Sequence, residues 1–138
     1  MYTKIFTTLP QEAKNIRIEV FMKEQGFENE FDDIDTISHH IVVFDEGKPI
    51  GTCRFFKENN HYTIGRVAVL KEYRNQHIGN LLLESAENEI KKLNGDLIVV
   101  HAQVRVSPFY EKQGYIPFGQ IDDDEGVPHM WMKKKIQY

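Results

Sequence analysis

The sequence predicts an α+β fold built on one central sheet, and three observations lead there. Three short apolar runs, "HHIVVF", "IGTCRFF" and "YTIGRVAVL", are separated by the polar turns "DEGKP" and "KENNH", which is the spacing of an antiparallel three-strand meander. A long helical pattern follows the meander. Beyond it "DLIVVH" is short, continuous and apolar, the mark of a strand buried on both faces. With 138 residues, no repeat and no low-complexity linker, the chain is expected to form a single domain spanning residues 1–138.

Taken in order, residues 3–7 suit a short first strand. "LPQEAKNIRIEVFMKEQG" reads as a helix with Ile16, Val20 and Phe21 on one face, Ile18 and Met22 beside them, and Gly26 as its stop. The acidic segment after it is expected to wander as a loop or a second short helix. The meander comes next, with a glycine in its first turn where a positive φ is needed. From about Gly79 to Leu93, Ile78, Leu82, Ala86, Ile90 and Leu93 recur at helical spacing and should face the sheet. Glu87 and Lys91 stand at the i,i+4 spacing of a favourable pair, and Asn94-Gly95 ends the helix. Ser107 is placed to cap a helix that starts at Pro108 and stops at Gly114. "YIPFG" and "HMWMKKKI" are the closing strands.

Composition excludes several functional classes. Apolar residues make up 41% and charged residues 28%, values of a globular domain. No apolar run approaches the roughly 18 residues of a membrane helix. The start "MYTKIFTTLPQEAKN" has neither the apolar core nor the cleavage site of a signal peptide. The one cysteine, Cys53, cannot form an intramolecular disulfide and is expected to be a small buried residue, so a reducing cytoplasm is the expected location. A net charge of −4 argues against nucleic acid as partner, and the run Lys133–Lys135 is read as a solvated chain end. Residues 24–35 carry six acids and no base, and "DDDE" fills residues 122–125. These are either solvated loops or a rim that attracts a cationic substrate. "DDIDTISHH" does not make a metal site: adjacent His39 and His40 on a strand point to opposite faces, and no zinc-type spacing occurs.

The stretch "GRVAVLKEYRNQHIGNLLLE", residues 65–84, carries the functional question. A strand running into a helix leaves several backbone N–H groups of the first turn unpaired, and with the helix dipole they make a site for a phosphate. Lys71 and Arg74 would add positive charge, and Gly79 would let the backbone approach the ligand. These residues alone also fit an ordinary strand-to-helix connection. They fit neither a P-loop nor a Rossmann fingerprint, since neither glycine motif is present.

"VAVLKEYRNQHIGNLLLESAE" resembles the acetyl-CoA signature of the GCN5-related N-acetyltransferases (GNAT), in which an apolar strand leads into [Q/R]-x-x-G-x-[G/A] at the head of a helix. "VRVSPFYEKQGY" resembles the family's second motif. The order of elements also agrees over essentially the whole chain. "RIEVFMKEQGFENEFDDID" followed by "HHIVVF" is similar to the bacterial ElaA-like and YjcF-like subgroup. The resemblance implies a mostly antiparallel mixed sheet of six to seven strands flanked by helices, with a splayed pair of strands forming an acetyl-CoA cleft. His77 departs from the pattern, standing where the family has glycine.

What the resemblance implies for the site is specific. The backbone of Val67, Ala68 and Val69 would pair with the pantetheine arm as an added strand. Arg74 and the backbone N–H groups of Asn75, Gln76, His77, Ile78, Gly79 and Asn80 would receive the diphosphate, with Gln103 as a further cofactor contact. Tyr110 matches the general acid that protonates the departing thiolate. Glu24 is a candidate base or substrate contact, with His39, His101 and His129 as other candidates by position. Asp32, Asp33 and Asp35 could orient a cationic acceptor. The implied activity is acetyl-CoA-dependent N-acetylation of a primary amine of a small molecule or peptide, with no metal. A homodimer is the assembly the resemblance suggests. The alternatives are a non-catalytic acyl-CoA-binding sensor or interaction module of the same fold, and an interaction domain with no ligand.

Overall fold

A computed structural model describes residues 1–28 and 30–138. Strand β1 (Tyr2–Phe6) is followed by α1 (Gln11–Arg17), which runs on as a π-helical segment, Ile18–Glu24. A single helix is expected across this span, and its second half is instead the wider coil that proteins use to re-aim side chains near functional sites. A 3₁₀ turn (Asp33–Thr36) leads into the meander β2 (His39–Asp45), β3 (Lys48–Glu58) and β4 (His61–Val69). Glu46 and Gly47 both take positive φ in the two-residue link between β2 and β3, the hairpin turn whose twist matches the strands it joins.

Helix α2 (Ile78–Lys92), strand β5 (Leu97–Gln103), helix α3 (Ser107–Lys112) and strands β6 (Ile116–Asp124) and β7 (Val127–Lys135) complete the chain. The described residues form one seven-stranded sheet in the order β1-β2-β3-β4-β5-β7-β6. Among the described residues only the β4–β5 pairing is parallel, as the intervening helix requires. Among the described residues no helix is long and apolar enough to cross a membrane.

The sheet is covered on both faces. Ile78, Leu82, Leu83, Ala86 and Ile90 of α2 pack on Ile41, Ile50, Phe55, Ile64, Ile98, Val100 and Met132, the face expected from their helical spacing. On the other side Ala13, Ile16, Val20 and Phe21 pack on Val42, Phe44 and Ala68. Cys53 is buried against α2, with burial pushing its thiol up to about 12, so it is a packing residue and not a nucleophile.

Three local expectations give way to tertiary contacts. Glu87 does not pair with Lys91: its carboxylate accepts from the Tyr115 hydroxyl at 2.7 Å and from Lys134 Nζ at 3.0 Å, while the Lys91 ammonium lies over the Tyr138 ring. Ser107 does not cap α3, since the helix begins at Ser107 itself with Val106 in the cap position. The acidic stretch does not form an open rim around Asp32 and Asp35. Arg54 Nη1 binds Asp32 at 2.7 Å and Asp35 at 2.9 Å, and Arg17 Nη1 binds Asp35 at 2.8 Å.

Candidate functional site

The site begins with an irregularity in β4. Its register against β3 shifts between Thr52 and Arg54, so Cys53 faces an extra residue, and Arg66 takes φ +52°. Such a bulge bends and twists a strand. On its other side β4 pairs with β5 only through Tyr62–Ile98, Thr63–Val99 and Ile64–Val100. β5 stays with β7 along its whole length, from Leu97–Lys135 to Gln103–His129. The two parallel strands therefore part after Ile64, and among the described residues Val67 to Val69 have no strand neighbour on that edge.

The opening is a cleft of about 700 Å³ lined by Val67, Ala68, Val69, Arg74, Asn75, His77, Ile78, Gly79 and Asn80 on one side and by Phe109 and Tyr110 of α3 on the other. Nine of the eleven residues expected to hold a cofactor are thus brought together. Gln76 turns outward, its amide nearest the Glu72 carbonyl at 3.5 Å. Gln103 lies outside this cleft, donating to Gln25 Oε1 at 2.8 Å and accepting from Arg105 at 3.0 Å.

At the head of the cleft the chain turns through Asn75 at φ +66° and His77 at φ +61° before α2 begins. No side chain caps this end among the described residues, and the first bond into the helix runs from Leu81 N–H to His77 O at 3.1 Å. The N–H groups of Ile78, Gly79 and Asn80 are consequently unpaired within the helix, which makes a cradle for an anion. Gly79 serves packing as well: a Cβ there would lie 3.1 Å from the Phe109 ring, so the glycine lets α3 close against the head of α2.

His77 occupies the left-handed region, where a side chain with a Cβ costs about 1–2 kcal/mol relative to glycine before glycine's own entropic disadvantage is counted. We therefore expect His77→Gly to raise the unfolding midpoint by a few degrees, with the fold unchanged. A midpoint that falls would show that the imidazole makes a contact worth more than the strain. Titration of the same variant with CoA reads whether the ring adds to anion binding.

Arg74 reaches along the cleft mouth. Its Nε donates to Val69 O at 3.0 Å, and its two terminal nitrogens grip Glu24 at 2.6 and 2.7 Å. Its charge is thus shared with Glu24 and is not left free beside the anion cradle. In return the Arg74 hydrogen bond holds the Glu24 carboxyl below the usual range, so Glu24 is a weak proton acceptor at neutral pH.

A second, smaller cavity of about 140 Å³ lies where β4 and β5 diverge, lined by Phe21, Phe27, Glu30, Ile64, Gly65, Arg66, His101, Gln103 and His129. Gln25, Val67, Arg105, Val106 and Tyr110 line both spaces. Tyr110 is therefore at their junction. Its ring is buried edge-on to Tyr115 at 5.8 Å, and burial drives its pKa up, keeping the hydroxyl protonated. That hydroxyl makes no hydrogen bond among the described residues.

Sequence reading does not find the ion network beside the small cavity. Arg17 Nε and Arg66 Nε meet Glu30 Oε1 at 2.8 and 3.1 Å, and Arg66 also reaches Asp32 at 3.4 Å. Burial pushes the Glu30 carboxyl up, and the Arg66 and Arg17 guanidiniums oppose it. His39 is remote from this chemistry, stacked on Phe55 at 4.9 Å. His40 Nε2 donates to Asp35 O at 3.0 Å, with burial lowering its pKa.

The chain matches the acetyltransferase (GNAT) domain family over residues 7–136. It is 33% identical over 127 residues to the uncharacterized N-acetyltransferase YjcF of Bacillus subtilis (strain 168), covering 90% of this chain and 91% of that one. The crystal structure of Escherichia coli ElaA superposes with TM-score 0.87 at 22% identity, covering 97% of this chain and 99% of that one. An aminoglycoside 6'-N-acetyltransferase complexed with coenzyme A superposes with TM-score 0.80 at 16% identity, covering 98% and 97%. With the bulged fourth strand, the parted β4–β5 pair and the uncapped helix at the head of the cleft already in place, this chain belongs to the GNAT family and is an acyltransferase.

Proposed function

We propose that the protein transfers the acetyl group of acetyl-CoA to a primary amine of a small molecule or peptide by direct attack on the thioester. The observation that carries this reading is Tyr110: a protonated, unpartnered hydroxyl at the junction of the two cavities. The residues present fit the cosubstrate. The open edge of β4 from Val67 to Val69 suits the amides of a pantetheine arm, and the unpaired N–H groups at the head of α2 suit a diphosphate. When bound, acetyl-CoA supplies the activated acetyl carbon. The chain's own part is to hold the thioester against the bulge of β4, where a main-chain N–H can meet the developing negative oxygen. Tyr110 Oη then delivers its proton to the departing sulfur.

Acetyl-CoA and CoA are expected to raise the unfolding midpoint, and ATP and NAD at equal concentration are not. At 100 times Kd the stabilisation is about 2.7 kcal/mol, on the order of 10 °C for a chain of this length. Release of CoA thiol is then followed with a panel of primary amines. Binding of acetyl-CoA with no amine-dependent release would favour a non-catalytic acyl-CoA-binding module. No midpoint change with any of the four ligands would remove the cofactor assignment.

A further inference from the structure

We propose that His129 is the base that takes the proton from the acceptor amine, and that the amine reaches it through the small cavity between β4 and β5. This rests on the transferase reading above. His129 is on β7, opposite Gln103 of β5, and only 6% exposed. It lines the small cavity, as Tyr110 does.

The tautomer of its ring follows from one contact. His129 Nδ1 lies 2.8 Å from Val127 O, and a carbonyl oxygen only accepts, so Nδ1 carries the hydrogen. In the neutral ring the lone pair is then on Nε2, which has no hydrogen-bond partner among the described residues. A backbone carbonyl fixing one nitrogen so that the other can act is the usual way a protein prepares imidazole for proton transfer. The ring is held in place by Phe27, edge-on at 6.5 Å, and by His101 at 4.7 Å.

The other proton acceptors near the site are either bound by arginines or more exposed than His129. Glu24 is bound by both terminal nitrogens of Arg74. A proton on Glu30 would leave Arg17 and Arg66 facing a neutral acid in a buried setting. His101 binds Asp122 through Nε2 at 2.8 Å, stacks on Trp131 at 4.4 Å and is 28% exposed, against 6% for His129. Asp124 is an exposed carboxylate on the rim.

The proton balance closes with two residues. An ammonium nitrogen loses two protons in becoming an amide. The first passes to His129 Nε2, freeing the lone pair that bonds to the acetyl carbon, and leaves to solvent afterwards. As the carbon–sulfur bond breaks, Tyr110 Oη gives its proton to the thiolate, and the second nitrogen proton replaces it.

The test uses the full chain, acetyl-CoA and two acceptors of equal length at pH 7: an alkylamine, which is protonated, and an alkoxyamine, which is not. His129→Gln is expected to lose about 10²-fold in kcat/KM with the alkylamine and less than about threefold with the alkoxyamine, which needs no base before attack. Tyr110→Phe should lose activity with both. Equal losses with the two acceptors, in a His129→Gln protein that unfolds at the wild-type midpoint, would give the residue a structural role and overturn the assignment. So would a selective alkylamine loss found in His101→Gln and absent from His129→Gln. Wild-type protein that binds acetyl-CoA and acetylates neither these nor any other amine overturns the transferase reading itself, an outcome distinct from failure of the variant.

Discussion

Tyr110→Phe is expected to lower kcat by about 10²-fold or more while leaving the affinity for CoA within a factor of two or so. The substitution removes one oxygen and keeps the ring that packs against Tyr115 and Phe109. Because that hydroxyl has no hydrogen bond among the described residues, the variant loses no partner on folding, and its unfolding midpoint should be equal to or slightly above that of the wild type. Burial raises the Tyr110 pKa, so the hydroxyl stays protonated through the neutral range and adds no limb of its own to the rate profile there. Tyr115→Phe supplies the contrast. Its hydroxyl donates to Glu87 at 2.7 Å in a half-buried setting, so that change should lower stability with little effect on kcat. A Tyr110→Phe enzyme with unchanged kcat would mean that water protonates the thiolate, and the junction of the two cavities would lose its chemical role.

The parts of this site legible in the sequence are those made by neighbours in the chain. The apolar run ending at Val69, the polar turn and the period of α2 locate the anion cradle, because strand, turn and helix each follow from local pattern. The resemblance put His77 where the family has glycine, and the backbone there is left-handed at φ +61°. What local pattern could not supply is the bulge at Arg66: an arginine at φ +52° carries no turn signal, yet it parts β4 from β5. The same limit hid the π-helical half of the first helix, which places Glu24 against Arg74, fifty residues on. Spacing rules predicted Glu87 with Lys91; the fold instead brings Tyr115 and Lys134 to that carboxylate. Contacts between distant segments outrank propensity where both compete for one side chain. The tautomer of His129 belongs to the same class, since only the folded strand shows which nitrogen meets a carbonyl.

Arg17→Met should destabilise the fold by about 3–5 kcal/mol, a large share of the roughly 5–15 kcal/mol that holds a domain folded. Arg17 is 1% exposed, and its guanidinium binds Glu30 Oε1 at 2.8 Å, Glu30 O at 3.0 Å, and Asp35 at 2.8 and 3.2 Å. Methionine fills much of the space but leaves two buried carboxylates short of a cation, and Arg54 and Arg66 already serve Asp32 as well. The pH dependence identifies the cause. Burial pushes the Asp35 carboxyl up, but hydrogen bonds and charge from Arg17 and Arg54 outweigh it and hold the pKa below the ordinary aspartate value. A depressed carboxyl stabilises the fold fully above its unfolded pKa of about 3.9, and that contribution fades as pH falls through the lower folded value. Wild-type protein should therefore keep this stabilisation down to about pH 4 and lose it below. In Arg17→Met the Asp35 pKa rises, so the deficit is greatest at neutral pH and the gap between the two proteins narrows on acidification. Adding Glu30→Gln and Asp35→Asn to Arg17→Met should recover part of the loss, because neutral amides need no cation. A deficit below about 1 kcal/mol, the size of an exposed pair, or one unchanged from pH 7 to pH 3, would place the strength of this region in its apolar packing, with the arginines as passengers.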